Sequence, residues 1–300
     1  MSGAAGSARF LRNLVLSHAE HDGAIKALSG VLERVEAALQ LRSDDAMTTT
    51  APRVVTFVPP DFSLSMVIDC YQAGLRHFGE TLPHELIRKA EDEDVLRHCP
   101  DIKWHFCGPI QPSVATSRLV KTANLYMIES VHDQTLASLL DQSAAAAKRE
   151  SALKVMVQVA ASEADETQMG LVAASSSHRL CRHIAEDCPY LELCGLMINA
   201  SSTSKNRANE STNNESPPDA GEEEQEEFQI LSTARLDVCK HLQMEVEEFE
   251  LSMGGACNLE RAIKMGSSNV RIALDALGIA PPTYSPVTPS NDVDGGVESK

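Results

Sequence analysis

LSMGGACNLERAIKMGSSNVRIA, residues 251–273, reads as the end of one buried strand, a glycine turn, a short amphipathic helix and a second buried strand, NVRIA at 269–273. Apolar runs separated by helix-length stretches indicate strands covered on both faces, as in parallel α/β proteins. The same unit recurs toward the N-terminus. Strand candidates are VVTFV (54–58), HFGE (77–80), KWHFCG (103–108), NLYMIESV (124–131), LKVMVQVA (153–160), LELCGLMI (191–198), FELSM (249–253) and NVRIA. Helical patterns fall between them at Ser65 to Gly74, His84 to Arg97, Gln134 to Arg149, Thr167 to Asp187, Phe228 to Leu242 and Asn258 to Met265, with the connection Pro109 to Lys121 the least clearly helical. Eight strand-helix units predict an α/β fold of one (β/α)8 TIM-type barrel, because open doubly wound sheets usually stop at fewer strands.

Outward from this core the chain divides into three further parts. Residues 1–50 form an N-terminal arm with a helix over 25–41, whose apolar stripe of Leu28, Val31, Leu32, Val35 and Leu39 is expected to pack on the barrel spanning 51–280. Residues 200–227 lack apolar periodicity and are rich in Ser, Asn and Glu, which predicts a disordered acidic insert. The Pro- and Ser-rich residues 281–300 read as a flexible tail.

A formal net charge of -17 argues against nonspecific binding of nucleic acid or of anionic membranes, which requires clustered Lys and Arg. No apolar run is long enough for a membrane-spanning helix. Arg9 and Arg12 precede the first acid, Glu20, which faintly resembles a mitochondrial presequence; a cytoplasmic location is the principal expectation. The eight cysteines lack zinc-knuckle spacing and read as reduced thiols, so Cys181, His183, Cys188 and Cys194 are not expected to ligate metal.

Functional residues of such barrels project from the C-terminal strand ends. That selects Phe57, Glu80, Gly108 with Gln111, Glu129, Gln158, Met197, Ser252 to Gly255, and Arg271. The turns after Met253 and Arg271 suit a phosphate, since backbone N–H groups entering a helix attract anions. They equally suit a purely conformational glycine and a strand arginine paired with a carboxylate.

The same residues carry a family resemblance. HFGE (77–80), WHFCGPIQ (104–111), MIESV (127–131), GLM (195–197), ELSMG (250–254) and GSSNVRI (266–272) resemble, in order and spacing, segments of the pyridoxal phosphate (PLP) homeostasis family, YggS/PROSC-like barrels akin to the alanine racemase N-terminal domain. The resemblance implies a PLP-binding protein without catalytic turnover. By the match, Arg271 faces the pyridine nitrogen, Ser252, Gly254, Ala273 and Leu274 surround the phosphate, and Met197 lines the pocket.

The departures fall in that pocket. Where the family reads AVSKTKP this chain reads Val54 to Pro60, VVTFVPP, so Phe57 occupies the Schiff-base lysine position and no catalytic residue is assigned. Lys103 and Lys154 begin their strands, while Lys89, Lys148, Lys240 and Lys264 lie on helices, so none offers an obvious substitute amine. Thr81, Ala256, Ala273 and Leu274 also depart from the family pattern. The expectation is a non-enzymatic PLP carrier binding its cofactor noncovalently if at all. The alternative is a degenerate, cofactor-free barrel serving as an interaction or regulatory module. The carboxylates Glu80 and Glu129 are expected to line the barrel or pocket rather than act as an acid-base pair.

Overall fold

Eight parallel strands pair in strict chain order and close into a barrel: β1 (Arg53–Phe57), β2 (His77–Glu80), β3 (Lys103–Phe106), β4 (Leu125–Val131), β5 (Leu153–Val159), β6 (Leu191–Ile198), β7 (Glu250–Ser252) and β8 (Asn269–Ala273). Between β1 and β8 the ladder runs from Arg53 opposite Asn269 to Phe57 opposite Ala273. The computed structural model describes residues 22–43, 46, 48, 51–59, 62, 64–111, 114–199 and 220–277. The predicted barrel is therefore the fold found.

Ten α-helices lie among the described residues: α1 (Asp22–Gln40), α2 (Leu64–Gln72), α3 (Pro83–Ala90), α4 (Glu93–His98), α5 (Val114–Val120), α6 (Gln134–Ala147), α7 (Glu163–Met169), α8 (Ser177–Asp187), α9 (Ala220–Leu242) and α10 (Leu259–Lys264). Period-two alternation sends one set of strand residues outward. Val54, Phe78, Trp104, Ile128, Val155, Val157, Leu196, Leu251 and Ile272 join the buried layer between barrel and helices. The other set fills the lumen, where Met127, Met156 and Met197 pack together against Tyr126 and Cys194.

The helix pattern differs from expectation in three places. The stretch His84 to Arg97 is two helices, because the Asp92 carboxylate caps Asp94 and Val95 N–H at 3.0 and 3.1 Å and starts α4 afresh. Thr167 to Asp187 is likewise broken after α7 by Gly170, at φ 65°. The third correction concerns the acidic insert: α9 begins at Ala220, so residues 220–227 are helical rather than disordered. Their glutamates fall in the opening turns, where the helix dipole favours negative charge. Residues 1–21, 200–219 and 278–300, which hold the rest of the insert, the presequence-like stretch and the tail, lie outside the described residues.

α1 packs on the barrel's outer layer, burying Leu28, Val31 and Val35 of the predicted stripe with Leu32 partly buried beside them, while Ala38 rather than the half-buried Leu39 completes the face. Arg34 fastens it to the start of α10, with Nε and Nη2 donating to the Glu260 carboxylate at 2.6 and 2.9 Å and Nη2 also to the Ala256 carbonyl at 2.9 Å. No helix among the described residues is long and apolar enough to cross a membrane.

Candidate functional site

The lumen is threaded by a chain of polar side chains. His77 on β2 and His105 on β3 meet through Nδ1 and Nε2 at 2.8 Å. His105 Nδ1 donates to Glu129 Oε1 at 2.5 Å, and the other oxygen of that carboxylate accepts from the Ser252 hydroxyl. Arg271 Nη1 donates to Ser252 Oγ at 2.6 Å, while Nη2 donates to the Ile198 carbonyl at 2.5 Å and Asn199 Oδ1 at 3.1 Å. Arg271 stands 3.9 Å from the wholly buried Glu129 carboxylate. Met197 lies in register between Gln158 on β5 and Ser252 on β7. Arg271, Ser252, Glu129 and Met197, each singled out from sequence, therefore converge in one lumen.

Phe57 also points into that lumen, over Gly79. A Cβ on Gly79 would fall 2.2 Å from the Phe57 ring, so glycine is what admits the aromatic side chain here. Lys103 and Lys154 gather near the Tyr126 ring, with their ammonium groups 5.2 and 5.9 Å from its centroid, toward the strand starts. Lys154 pairs there with Glu192 at 2.5 Å.

Glu80 departs from its expected place. It follows Gly79 on a four-residue strand whose His77 and Gly79 face inward, so alternation turns Glu80 outward. There its carboxylate pairs with the buried ammonium of Lys89 on α3, which also donates to the Val58 carbonyl at 2.5 Å. Glu80 is a strut between barrel and helix, not a lumen residue. Lys89 likewise differs from an ordinary solvated helix lysine, being 1% exposed.

The electrostatics of the chain follow from its burial. Burial alone pushes the Glu129 carboxyl up, but the His105 hydrogen bond and charge, Arg271 and the Ser252 hydroxyl outweigh it and hold the group at about 2. Burial, reinforced by His105, Arg53 and Lys103, drives His77 down from 6.5 to about 2. His77 is thus a neutral ring, and Glu129 a carboxylate that only accepts. Cys107, raised well above 9.0 chiefly by burial and by Glu129, is an inert thiol.

Both shifted groups make acid the destabilising direction. Below pH 6.5 the unfolded chain takes up a proton at His77 that the native state refuses until about 2, so stability falls by about 1.4 kcal/mol per pH unit. Stability from Glu129 is complete above its ordinary 4.5 and is lost as pH falls toward 2, steepening the lower limb. We expect urea unfolding of His77→Gln to lose the upper limb. Identical pH slopes in the variant and the parent would contradict the assignment.

In the two turns read as phosphate cradles, three N–H groups have partners within the chain. Gly254 adopts φ 90°, which favours glycine. Asn258 Oδ1 caps Gly255 N–H at 2.8 Å. Leu274 N–H donates to the Phe57 carbonyl at 3.0 Å, and its side chain is buried in the outer layer. Ala276 N–H donates to the Asp275 carboxylate at 3.0 Å, placing a negative charge beside the turn. Ala273, half-buried, stands across the β1–β8 ladder from Phe57.

Sequence reasoning missed His77, His105, Asn199 and the Lys89 strut. Alternation from Cys107 back through KWHFCG (103–108) marks His105 as lumen-facing, a signal that was present. Asn199 and Lys89 have none, because their roles depend on partners distant in sequence.

No family model matches the sequence. The human pyridoxal phosphate homeostasis protein is 34% identical over 252 residues, covering 84% of this chain and 85% of that protein. Among solved structures, PipY of Synechococcus elongatus with PLP bound superposes with a TM-score of 0.57 at 22% identity, covering 82% of this chain and 99% of that one. A protein of unknown function from Bifidobacterium adolescentis superposes with a TM-score of 0.65 at 22% identity, over 88% and 98% of the two chains. These two share the fold; the sequence match to the human protein, at 34% identity over 84% of this chain, shows that this chain belongs to the pyridoxal phosphate homeostasis protein family.

Proposed function

We propose that the chain has a non-catalytic role in PLP homeostasis and holds the cofactor noncovalently, with Arg271 as anchor. Support comes from the relatives' name, from PipY having been solved with PLP bound, and from the retained Arg271, Ser252 and Met197 constellation. The observation that carries the noncovalent reading is Phe57. The family's lysine position holds a ring that packs over Gly79, and Lys89, Lys103 and Lys154 are committed elsewhere.

The residues present fit the cofactor in part. Arg271 offers a donor for a polar ring edge, Met197 an apolar wall, and Ser252 and Gly254 with Ala273 and Leu274 a lining toward the phosphate. When bound, PLP supplies an electrophilic aldehyde, and capture of an aldehyde requires an uncharged amine within reach. This chain's own contribution is to bind, orient and shield the group. A cytoplasmic location accords with this role.

A second reading has its own support. Asn258, Asp275 and the Phe57 carbonyl engage three turn N–H groups, as a barrel that functions without an anion would arrange them. That reading is a cofactor-free interaction or regulatory module.

Equilibrium binding of PLP to the purified protein, with borohydride reduction and intact mass measured alongside, separates the two. Saturable binding without a mass increase is expected. A trapped adduct would overturn noncovalent holding, and absence of binding at millimolar PLP would leave the cofactor-free reading, which a partner lost on deleting residues 200–227 would then support. Phe57→Lys alone is expected to restore little trapped adduct, because the phosphate turns have diverged as well.

A further inference from the structure

We propose that His178, Asp237 and His241 form a divalent transition-metal site, of the kind zinc occupies, clasping α8 to α9 on the outside of the barrel. Among the described residues these are the one group of three metal-capable side chains whose donor atoms all lie within 4.8 Å of one another. His178 lies in the first turn of α8, which follows directly on a 3-10 turn at Ala174–Ser176. Asp237 and His241 lie one turn apart near the end of α9, a spacing that places both on one helix face.

The donor spacing suits a small tetrahedral ion. His178 Nδ1 lies 3.0 Å from Asp237 Oδ2, and His241 Nδ1 lies 3.3 Å from Asp237 Oδ1. Zinc bonds of about 2.0–2.2 Å to nitrogen and oxygen set ligand-to-ligand edges of roughly 3.3–3.5 Å in a tetrahedron, close to these two nitrogen-to-oxygen distances. His241 Nδ1 also donates to the Asp237 carbonyl at 2.8 Å, a bond that ligation exchanges for the metal.

The stacking of the two rings sets the motion that ligation requires. Their centroids are 4.1 Å apart and their planes 10° from parallel. An imidazole lone pair lies in its own ring plane, so one ring must rotate out of this stack for both nitrogens to reach a single ion. Imidazole donors favour zinc, copper, nickel or iron over calcium and magnesium, which prefer all-oxygen shells. Three protein ligands leave the fourth position to water, at a surface where His241 and Asp237 are each 38% exposed at the side chain. The chain's charge of -17 further favours cation approach.

The same region holds a ready internal control. His183 Nδ1 contacts Asp187 at 2.9 Å, and its Nε2 contacts Ser138 Oγ at 3.0 Å and Cys188 Sγ at 3.8 Å. That ring is already held at both nitrogens.

The test is calorimetric titration of the chelator-stripped full chain with Zn2+, paired with thermal melting with and without the ion. One-to-one binding is expected, weakened about tenfold or more in His178→Ala, Asp237→Asn and His241→Gln and unchanged in His183→Ala and Cys257→Ser. Asp237→Asn preserves side-chain shape, so an unaltered metal-free melting temperature together with a lost zinc shift separates ligation from folding. Zinc bound equally well by a His178→Ala/Asp237→Asn double variant, or bound by the parent no better than by that variant, would overturn the site.

Discussion

Lys89→Met is expected to destabilise the protein by about 3–5 kcal/mol, the cost of stranding a buried carboxylate. Both partners of the pair are almost sealed, with Lys89 and Glu80 side chains 2% and 7% exposed. Removing the ammonium leaves Glu80 without its counter-ion and takes a donor from the Val58 carbonyl. Removing both charges is a different matter, because an ion pair that loses its hydration on folding gains little over apolar side chains of similar volume. The double variant Lys89→Met/Glu80→Leu should therefore recover most of the loss. Denaturant midpoints of the parent, both single variants and the double variant measure this directly. Single losses that simply add in the double variant would show that the two side chains act independently.

The second large effect is expected at Arg271. Arg271→Met removes the guanidinium 3.9 Å from Glu129, whose carboxylate has no exposure, and strips donors from Ser252, Ile198 and Asn199. We expect a loss of about 3 kcal/mol or more in stability and at least about a tenfold weakening of PLP binding, since one charge-assisted hydrogen bond contributes roughly 1.5–3 kcal/mol. Adding Glu129→Gln should soften the stability loss without restoring the affinity. That split is informative, because a purely structural arginine would recover both together or neither. PLP affinity untouched by Arg271→Met would remove it as the anchor.

The barrel was legible because parallel strands covered on both faces leave uninterrupted apolar runs, and these survive in LKVMVQVA and LELCGLMI without any knowledge of their neighbours. Glu129, Met197, Ser252 and Arg271 were legible for a related reason: they fall at strand ends on the inward phase of the alternation. HFGE is too short to fix its own phase, so Glu80 was placed on the wrong side. Lys89 was misread because a lysine on an amphipathic helix looks the same in sequence whether it faces water or a hidden glutamate. The acid-rich opening of α9 has the composition of a loop, and only the helix dipole and the packing of later residues such as Phe228 and Leu231 decide otherwise.

The seam between the first and last strands has a consequence for how the protein is made. Arg53 and Asn269, whose side chains meet at 2.7 Å, are 216 residues apart, so during synthesis β1 emerges long before the strand that will cover it. Until the ribosome has released nearly the whole barrel, the growing sheet has two open edges, each a row of unpaired backbone groups able to recruit another chain. Ring closure at such a separation also makes folding slow relative to helical proteins of this size. A nascent chain of this design therefore keeps the edges of β1 and β7 open to other chains until β8 has emerged.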